Sequence, residues 1–229
     1  MCGVKRIKKT SNEPFLGTTG LNVVIDNPTS VVEAVSSVIG DDLVRLLTEQ
    51  SKLYHSQNAE KWKVSPKTLK RSNITPEEIR KFFGLIILRG QVRKEYVRDY
   101  WSTDPTISTP IFPHTMSRNR FESIWQAWHF SDNSLQTQGS EGLFKIWPVY
   151  EYFVHKVRSV YSPKEEMSLD EAVIPWWGLL KLTTYSPGKI TKYGVLVRMV
   201  CEAVSGYICN MEIYPQLKER TWRTQCYHF

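Results

Sequence analysis

Four cysteines are all the chain has (Cys2, Cys201, Cys209 and Cys226), and no two of them are spaced Cys-x-x-Cys. This excludes a zinc site of the familiar ligand spacing and a disulfide framework, and it fits a reducing compartment. Long apolar runs are lacking too. The longest, around Phe82 to Leu88, is far too short to cross a bilayer, and nothing near Met1 reads as a signal peptide, so no membrane partner is expected. Internal repeats and low-complexity blocks are absent, which argues against a solenoid or a disordered scaffold.

What the chain does have is core and positive charge. Of its 229 residues, 41% are hydrophobic and 12% aromatic, ample for a packed interior. Thirty basic against 23 acidic side chains leave a net charge of +7. That favours a polyanionic partner, nucleic acid first, over a small-molecule substrate, which nothing in the sequence suggests.

Taken in order, residues 1–29 read as a disordered basic tail opening on Lys-Arg-Ile-Lys-Lys (Lys5 to Lys9), a candidate nuclear import signal or phosphate-binding arm. Ser30 is placed to cap a helix carrying Val31, Val32, Val35 and Val38. A second helix from Asp41 or Asp42 carries Leu43, Leu46, Leu47 and Tyr54. A polar connection follows over residues 57–74. Thr75-Pro76-Glu77-Glu78 then joins an N-cap, a proline at the first helical position and a glutamate three residues on. Ile79, Phe82, Phe83 and Ile86 form the stripe of this third helix, with Gly90 as its natural stop. Tyr100 and Trp101 read as packing anchors rather than base-stacking platforms. Ser117 is a cap for a helix with Phe121, Ile124, Trp125 and Trp128 on one face. Arg118 and Arg120 sit in its first turn, where a grip on DNA phosphates and an ordinary charged face both stay open. A further amphipathic helix (Val149, Phe153, Val157, Val160) closes at Ser162-Pro163.

The last third changes character. Met167 to Ile174, Gly194 to Val204 and Tyr207 to Tyr214 read as strands, parted by turn chemistry at Pro187-Gly188 and Ser205-Gly206. Asp170 lies mid-strand, where a solvated charge is unusual. Neighbouring strand residues face opposite ways, so Asp170 and Glu171 do not share a site. Helices followed by strands give an α+β class.

The run Asp170-Glu171, Gly178, Tyr185, Pro187, Lys189, Lys192, Gly194, Gly206-Tyr207 and Tyr214 resembles the piggyBac transposase domain, as found in the piggyBac transposable element-derived proteins. The likeness extends back through TPEEIRKFFGLIIL, RDYWSTDP, MSRNRFESIWQAWHFSDN and LFKIWPVYEYF, covering roughly residues 40–215. It implies a helical DNA-binding-type region over 30–165, then the first three strands of an incomplete RNase H-like domain over 166–215, then a non-family tail over 216–229. It further implies that Asp170 matches the first of three catalytic, Mg²⁺-holding aspartates, and that Lys189 and Lys192 stand with Arg118 and Arg120 as DNA contacts.

The chain departs from that pattern in one way that bears on chemistry. No aspartate follows Asp170, and the later carboxylates are Glu171, Glu202, Glu212 and Glu219. Two metal ions need a cluster of carboxylates to hold them a few ångströms apart. The expectation is therefore a vestigial Asp170, no bound Mg²⁺ and no transposase activity. Glu202, ahead of the Gly206-Tyr207 hairpin, reads as structural. Leu179, Ile190 and Val195 stand where relatives carry arginine, proline and lysine, which weakens the expected DNA contacts. The resulting expectation is a truncated, domesticated transposase-derived protein of the nucleus: a non-catalytic DNA-binding or regulatory remnant that binds DNA weakly. A fragment of an active cut-and-paste transposase and a gene remnant without stable function stay open beside it. An incomplete sheet should also leave the Asp170 strand as an edge prone to self-association or aggregation.

Overall fold

The computed structural model describes residues 15–27, 29–58, 73–136, 143–176, 178 and 183–214. The Lys5–Lys9 cluster, most of the 57–74 connection and the 216–229 tail lie outside the described residues. Two units form: residues 25–153, and residues 1–24 with 154–229.

The first unit is helical. Helix α1 (Val31–Val38) starts where the Ser30 hydroxyl accepts the Glu33 N–H at 3.3 Å. Its valines find little cover, Val31 and Val32 being 74% exposed. Helix α2 (Asp41–Gln57) buries Leu43, Val44 and Leu47 along one stripe. Helix α3 (Pro76–Gln91) opens with a reciprocal capping box. The Thr75 hydroxyl accepts the Glu78 N–H at 3.2 Å, and the Glu78 carboxylate accepts the Thr75 N–H at 3.0 Å. Gly90 does not end this helix. It stays in helical backbone, and the chain leaves at Val92, whose N–H still reaches the Leu88 carbonyl. A glycine terminates a helix by taking up a positive φ, and Gly90 does not take one.

A 3-10 turn (Val97–Trp101) and the short helix α4 (Ile111–Thr115) lead to α5 (Arg118–Ala127), capped by the Ser117 hydroxyl. Phe82, Phe112 and Phe121 are wholly buried at the centre of this unit. Each contributes roughly 1.5–3 kcal/mol by leaving water. Tyr100 and Trp101 are the expected anchors: their rings lie 4.5 Å from Phe112 and 5.0 Å from Phe121, and their polar ends donate to the Val92 and Met116 carbonyls.

Helix α6 (Trp147–Val160) leads into the second unit. There a two-residue ladder pairs β1 (Gly20–Leu21) with β2 (Tyr161–Ser162), extended by an Asn22 N–H bond to the Val160 carbonyl. Residues 20–22, expected within a disordered tail, are thus held as a strand. The main sheet has four strands where three were expected. Central β5 (Tyr193–Glu202) pairs on one side with β3 (Met167–Pro175) over its full length. On its other side it pairs with β4 (Thr183–Tyr185) and β6 (Ile208–Ile213). β4 escaped the sequence reading because three residues, Thr-Thr-Tyr, are too few to show an alternation.

Two glycines are required here. Gly206 turns the β5–β6 connection at φ +72°. At Gly194, opposite Pro175, a Cβ would stand 2.0 Å from the Ile174 carbonyl oxygen. Glu202 is buried and structural, as expected. It accepts from the Tyr161 hydroxyl (3.1 Å to either oxygen), from the Lys164 N–H at 2.9 Å and from the Ser205 hydroxyl. These bonds, the Ser205 one foremost, hold its carboxyl below the usual range.

Candidate functional site

The β3–β5 register decides what surrounds Asp170. Directly opposed residues of an antiparallel pair share a face. Asp170 is opposite Met199, with Ser168 opposite Cys201 and Ala172 opposite Val197. Met199 is in turn opposite Met211 of β6. Asp170 is therefore an exposed carboxylate on a face of thioethers, a thiol and aliphatic groups, and its Oδ1 accepts the Glu171 N–H at 2.7 Å. Cys201 registers this neighbourhood. Burial, and after it the charge of Asp170, pushes its thiol above the ordinary range.

Glu171 faces the other way, as the strand period requires. Its carboxylate takes the Arg198 Nε at 3.2 Å, and the Arg198 guanidinium lies 4.2 Å from the centroid of the Tyr214 ring. Glu212 is opposite Arg198 on β6, so carboxylate, guanidinium and carboxylate follow one another across three strands. The sequence reading missed this row, since its members are scattered over some forty residues and only the register aligns them.

A hard cation such as Mg²⁺ needs several oxygen ligands. Among the described residues no three His, Cys, Asp or Glu side chains gather where they could hold an ion. Beside Asp170 the donors are sulfur, which suits soft metals. The described residues do not fit the family's metal pair, and no step through it follows.

The four basic candidates fare differently. In the helical unit, Arg118 is half exposed and its Nε lies 3.8 Å from Glu122, a loose pair. Arg120 is engaged. Its Nε and one terminal nitrogen each reach a Glu78 oxygen at 2.7 Å, and that terminal nitrogen also donates to the Asn73 carbonyl at 2.9 Å. This fork ties α5 to the start of α3. Hydrogen bonds from Arg120 are the largest cause holding the Glu78 carboxyl below its usual range. In the sheet unit, Lys192 is exposed, and Lys189 reaches back to donate to the Glu171 carbonyl at 2.7 Å. The structure thus brings Lys189 to the strand that bears Asp170. Unforeseen on the helical unit are cations laid on rings, Arg89 at 4.9 Å over Trp125 and Arg98 at 4.9 Å over Tyr96. An open apolar cleft of about 440 Å³ along α1, between Val31, Val35 and Phe153, holds none of the candidate residues.

Helices ahead of an antiparallel sheet, with a lone aspartate mid-strand, define a transposase-type chain. Residues 32–226 match the family described as Transposase IS4, and the chain belongs to that family, among its piggyBac-type members. The match continues past Pro215, where the resemblance read from the sequence stopped. The chain is similar to human PiggyBac transposable element-derived protein 3, at 23% identity over 192 residues, covering 83% of this chain and 30% of that protein. Human PiggyBac transposable element-derived protein 2 is 29% identical over 77 residues, covering 34% and 13%. Among solved structures, the piggyBac transposase in its cryo-EM synaptic complex with hairpin DNA superposes with a TM-score of 0.74. Identity there is 19%, over 90% of this chain and 42% of that one, so that likeness is one of fold. The chain spans less than a third of the first relative's length.

Proposed function

We propose that this chain is a transposase-derived, nuclear DNA-binding protein that does not itself cut or join DNA. One observation carries the catalytic half: Asp170 is the single carboxylate on its sheet face, and no aspartate follows it in the chain. Phosphodiester chemistry of the two-metal kind needs a clamp on both the attacking and the leaving oxygen, and one exposed carboxylate does not make one. The binding half is supported by the net charge of +7 and by exposed cations on both units, Arg118 and Lys192 among them. It is supported as well by the fold shared with a transposase solved on hairpin DNA. Contacts of this kind meet phosphates rather than base edges, so affinity follows salt and not sequence.

The test uses purified chain with radiolabelled duplex and hairpin DNA in Mg²⁺ or Mn²⁺, and the Asp170→Asn variant beside it. No nicking or joining is expected from either. Filter binding should show a log–log salt slope of about −0.9 for each phosphate neutralised, alike for specific and scrambled duplexes. Metal-dependent strand transfer lost in Asp170→Asn would overturn the catalytic half. A salt-insensitive or strongly sequence-selective complex would overturn the binding half.

A further inference from the structure

The backbone of β3 has a free side, and its geometry can be worked out residue by residue. The Tyr214 N–H donates to the Leu196 carbonyl at 2.9 Å, and the Glu202 N–H to the Tyr207 carbonyl at 2.9 Å. Even-numbered residues of β5 therefore turn their backbone groups toward β6. The Ala203 N–H donates to the Glu166 carbonyl at 2.8 Å, so odd-numbered residues turn theirs toward β3. Carried across the register (Met199 with Asp170, Val197 with Ala172), Asp170 and Ala172 direct their backbone at β5. Leu169, Glu171 and Val173 direct theirs outward. No described strand lies on that side.

Along the free edge, the described residues fill one outward position by a device. The Lys189 ammonium, from the β4–β5 connection, sits 2.7 Å from the Glu171 carbonyl oxygen. Lysines at sheet edges keep other strands from adding. The side chains there are not those of a self-pairing edge. An antiparallel pairing of two copies about a two-fold axis, in the registers of greatest overlap, sets Asp170 against Asp170 or Glu171 against Glu171. Like charges so placed are destabilising. Asp170, by contrast, stands exposed between the small side chains of Ser168 and Ala172 on its face, and Leu169 (61%) and Ile174 (54%) are exposed beside it.

We propose that the free edge of β3 is a strand-acceptor site for an extended, basic segment of another polypeptide, with Lys189 as its gate. The incoming strand runs antiparallel. It sets a lysine or arginine opposite Asp170 and larger apolar residues opposite Ser168 and Ala172. Asp170 occupies a non-hydrogen-bonded position on this edge, where opposed Cα atoms approach to about 4.5 Å, the closer of the two spacings. Main-chain bonds to Leu169, Glu171 and Val173 supply the affinity, and the Asp170 charge supplies the selectivity.

The probe is a fluorescein-labelled Thr-Val-Thr-Lys-Thr-Val-Thr peptide, titrated with the full chain and read by anisotropy. One control replaces its lysine by glutamate. Another N-methylates the threonines flanking the lysine, which removes the N–H groups that would bond β3. The lysine peptide is expected to bind, the glutamate peptide roughly fivefold more weakly, and the N-methylated one not at all. Lys189→Met, which keeps the aliphatic stem and loses the donor, should tighten binding about threefold. Asp170→Asn should abolish the preference for lysine over glutamate while binding stays sensitive to N-methylation. Binding indifferent to N-methylation, or equal for the two peptides with wild-type chain, overturns the proposal. So does a dimer in sedimentation velocity whose contact protects the β3 amides from exchange.

Discussion

Arg120 offers a sharp test of how far a basic residue in a DNA-binding-type helix can be assigned to DNA. Truncating it to alanine removes three charge-assisted hydrogen bonds, two to Glu78 and one to the Asn73 carbonyl. Such bonds contribute about 1.5–3 kcal/mol each when buried, whereas exposed ion pairs contribute about 0.2–1 kcal/mol in all. The two side chains are 20% and 28% exposed, which places the fork between these limits. Glu78 keeps the Thr75 N–H after the change, so its charge is not orphaned. A cation in the first turn of α5 also opposes the helix dipole, and removing it returns a few tenths of a kcal/mol. The net loss comes to about 2 kcal/mol.

For a body the size of the helical unit, that loss lowers Tm by roughly 5–10 °C. Arg120→Lys should recover less than half of it, since an ammonium does not reproduce the two parallel bonds of a guanidinium. Arg118→Ala should leave Tm within about 1 °C, as suits an exposed, loosely paired side chain, and should make the salt slope of DNA binding shallower by about 0.9. Calorimetry and filter binding on the same three variants decide the matter. Arg120→Ala with an unchanged Tm and a shallower salt slope would show the fork to be incidental and Arg120 to be a phosphate contact.

Two further outcomes probe the sheet unit. Gly194→Ala places a methyl 2.0 Å from the Ile174 carbonyl oxygen, a backbone atom fixed by pairing, and should cost about 3 kcal/mol and strip exchange protection from β3 and β5. Gly188→Ala, where nothing lies within 4 Å, should be neutral in the same experiment. The Glu202 carboxyl is held below its unfolded-state value, so its contribution is full above that value and disappears as pH falls through the folded one. Urea midpoints of the wild type should therefore drop between pH 6 and pH 3. Glu202→Gln should start lower at pH 6 and lose less on acidification, and parallel curves for the two would refute this account.

Sequence alone was sufficient wherever the cause is local. The start of α3 is written in four consecutive residues, Thr75 to Glu78, and its capping box formed as read. The Ser30 and Ser117 caps and the turn at Gly206 likewise need only neighbours within a few positions. Arg120 shows where such reading runs out. Its partner Glu78 is distant in sequence, and an arginine that grips a carboxylate looks the same in one dimension as an arginine that grips a phosphate. β4 failed for a different reason. Thr183 to Tyr185 join the sheet because β5 offers them backbone partners, a tertiary cause with no periodic trace.

The same division runs through the candidate site. That Asp170 sits mid-strand, and that Glu171 must face away from it, follows from the period of a strand and was visible at once. What surrounds Asp170 was not, because Met199, Cys201 and Met211 reach its face only through the registers of β3 on β5 and β5 on β6. Those registers are in turn pinned by features whose meaning is three-dimensional: the missing side chain at Gly194, the irregularity between Val200 and Cys201, and the buried Glu202 at the far end of β5. Lys189 carries the consequence for function. Its identity suggested a phosphate contact, yet its ammonium is bonded to the backbone of the Asp170 strand. A cation committed to a carbonyl must leave that bond before it meets a phosphate. The edge of β3 and any DNA at this loop therefore compete for the same side chain.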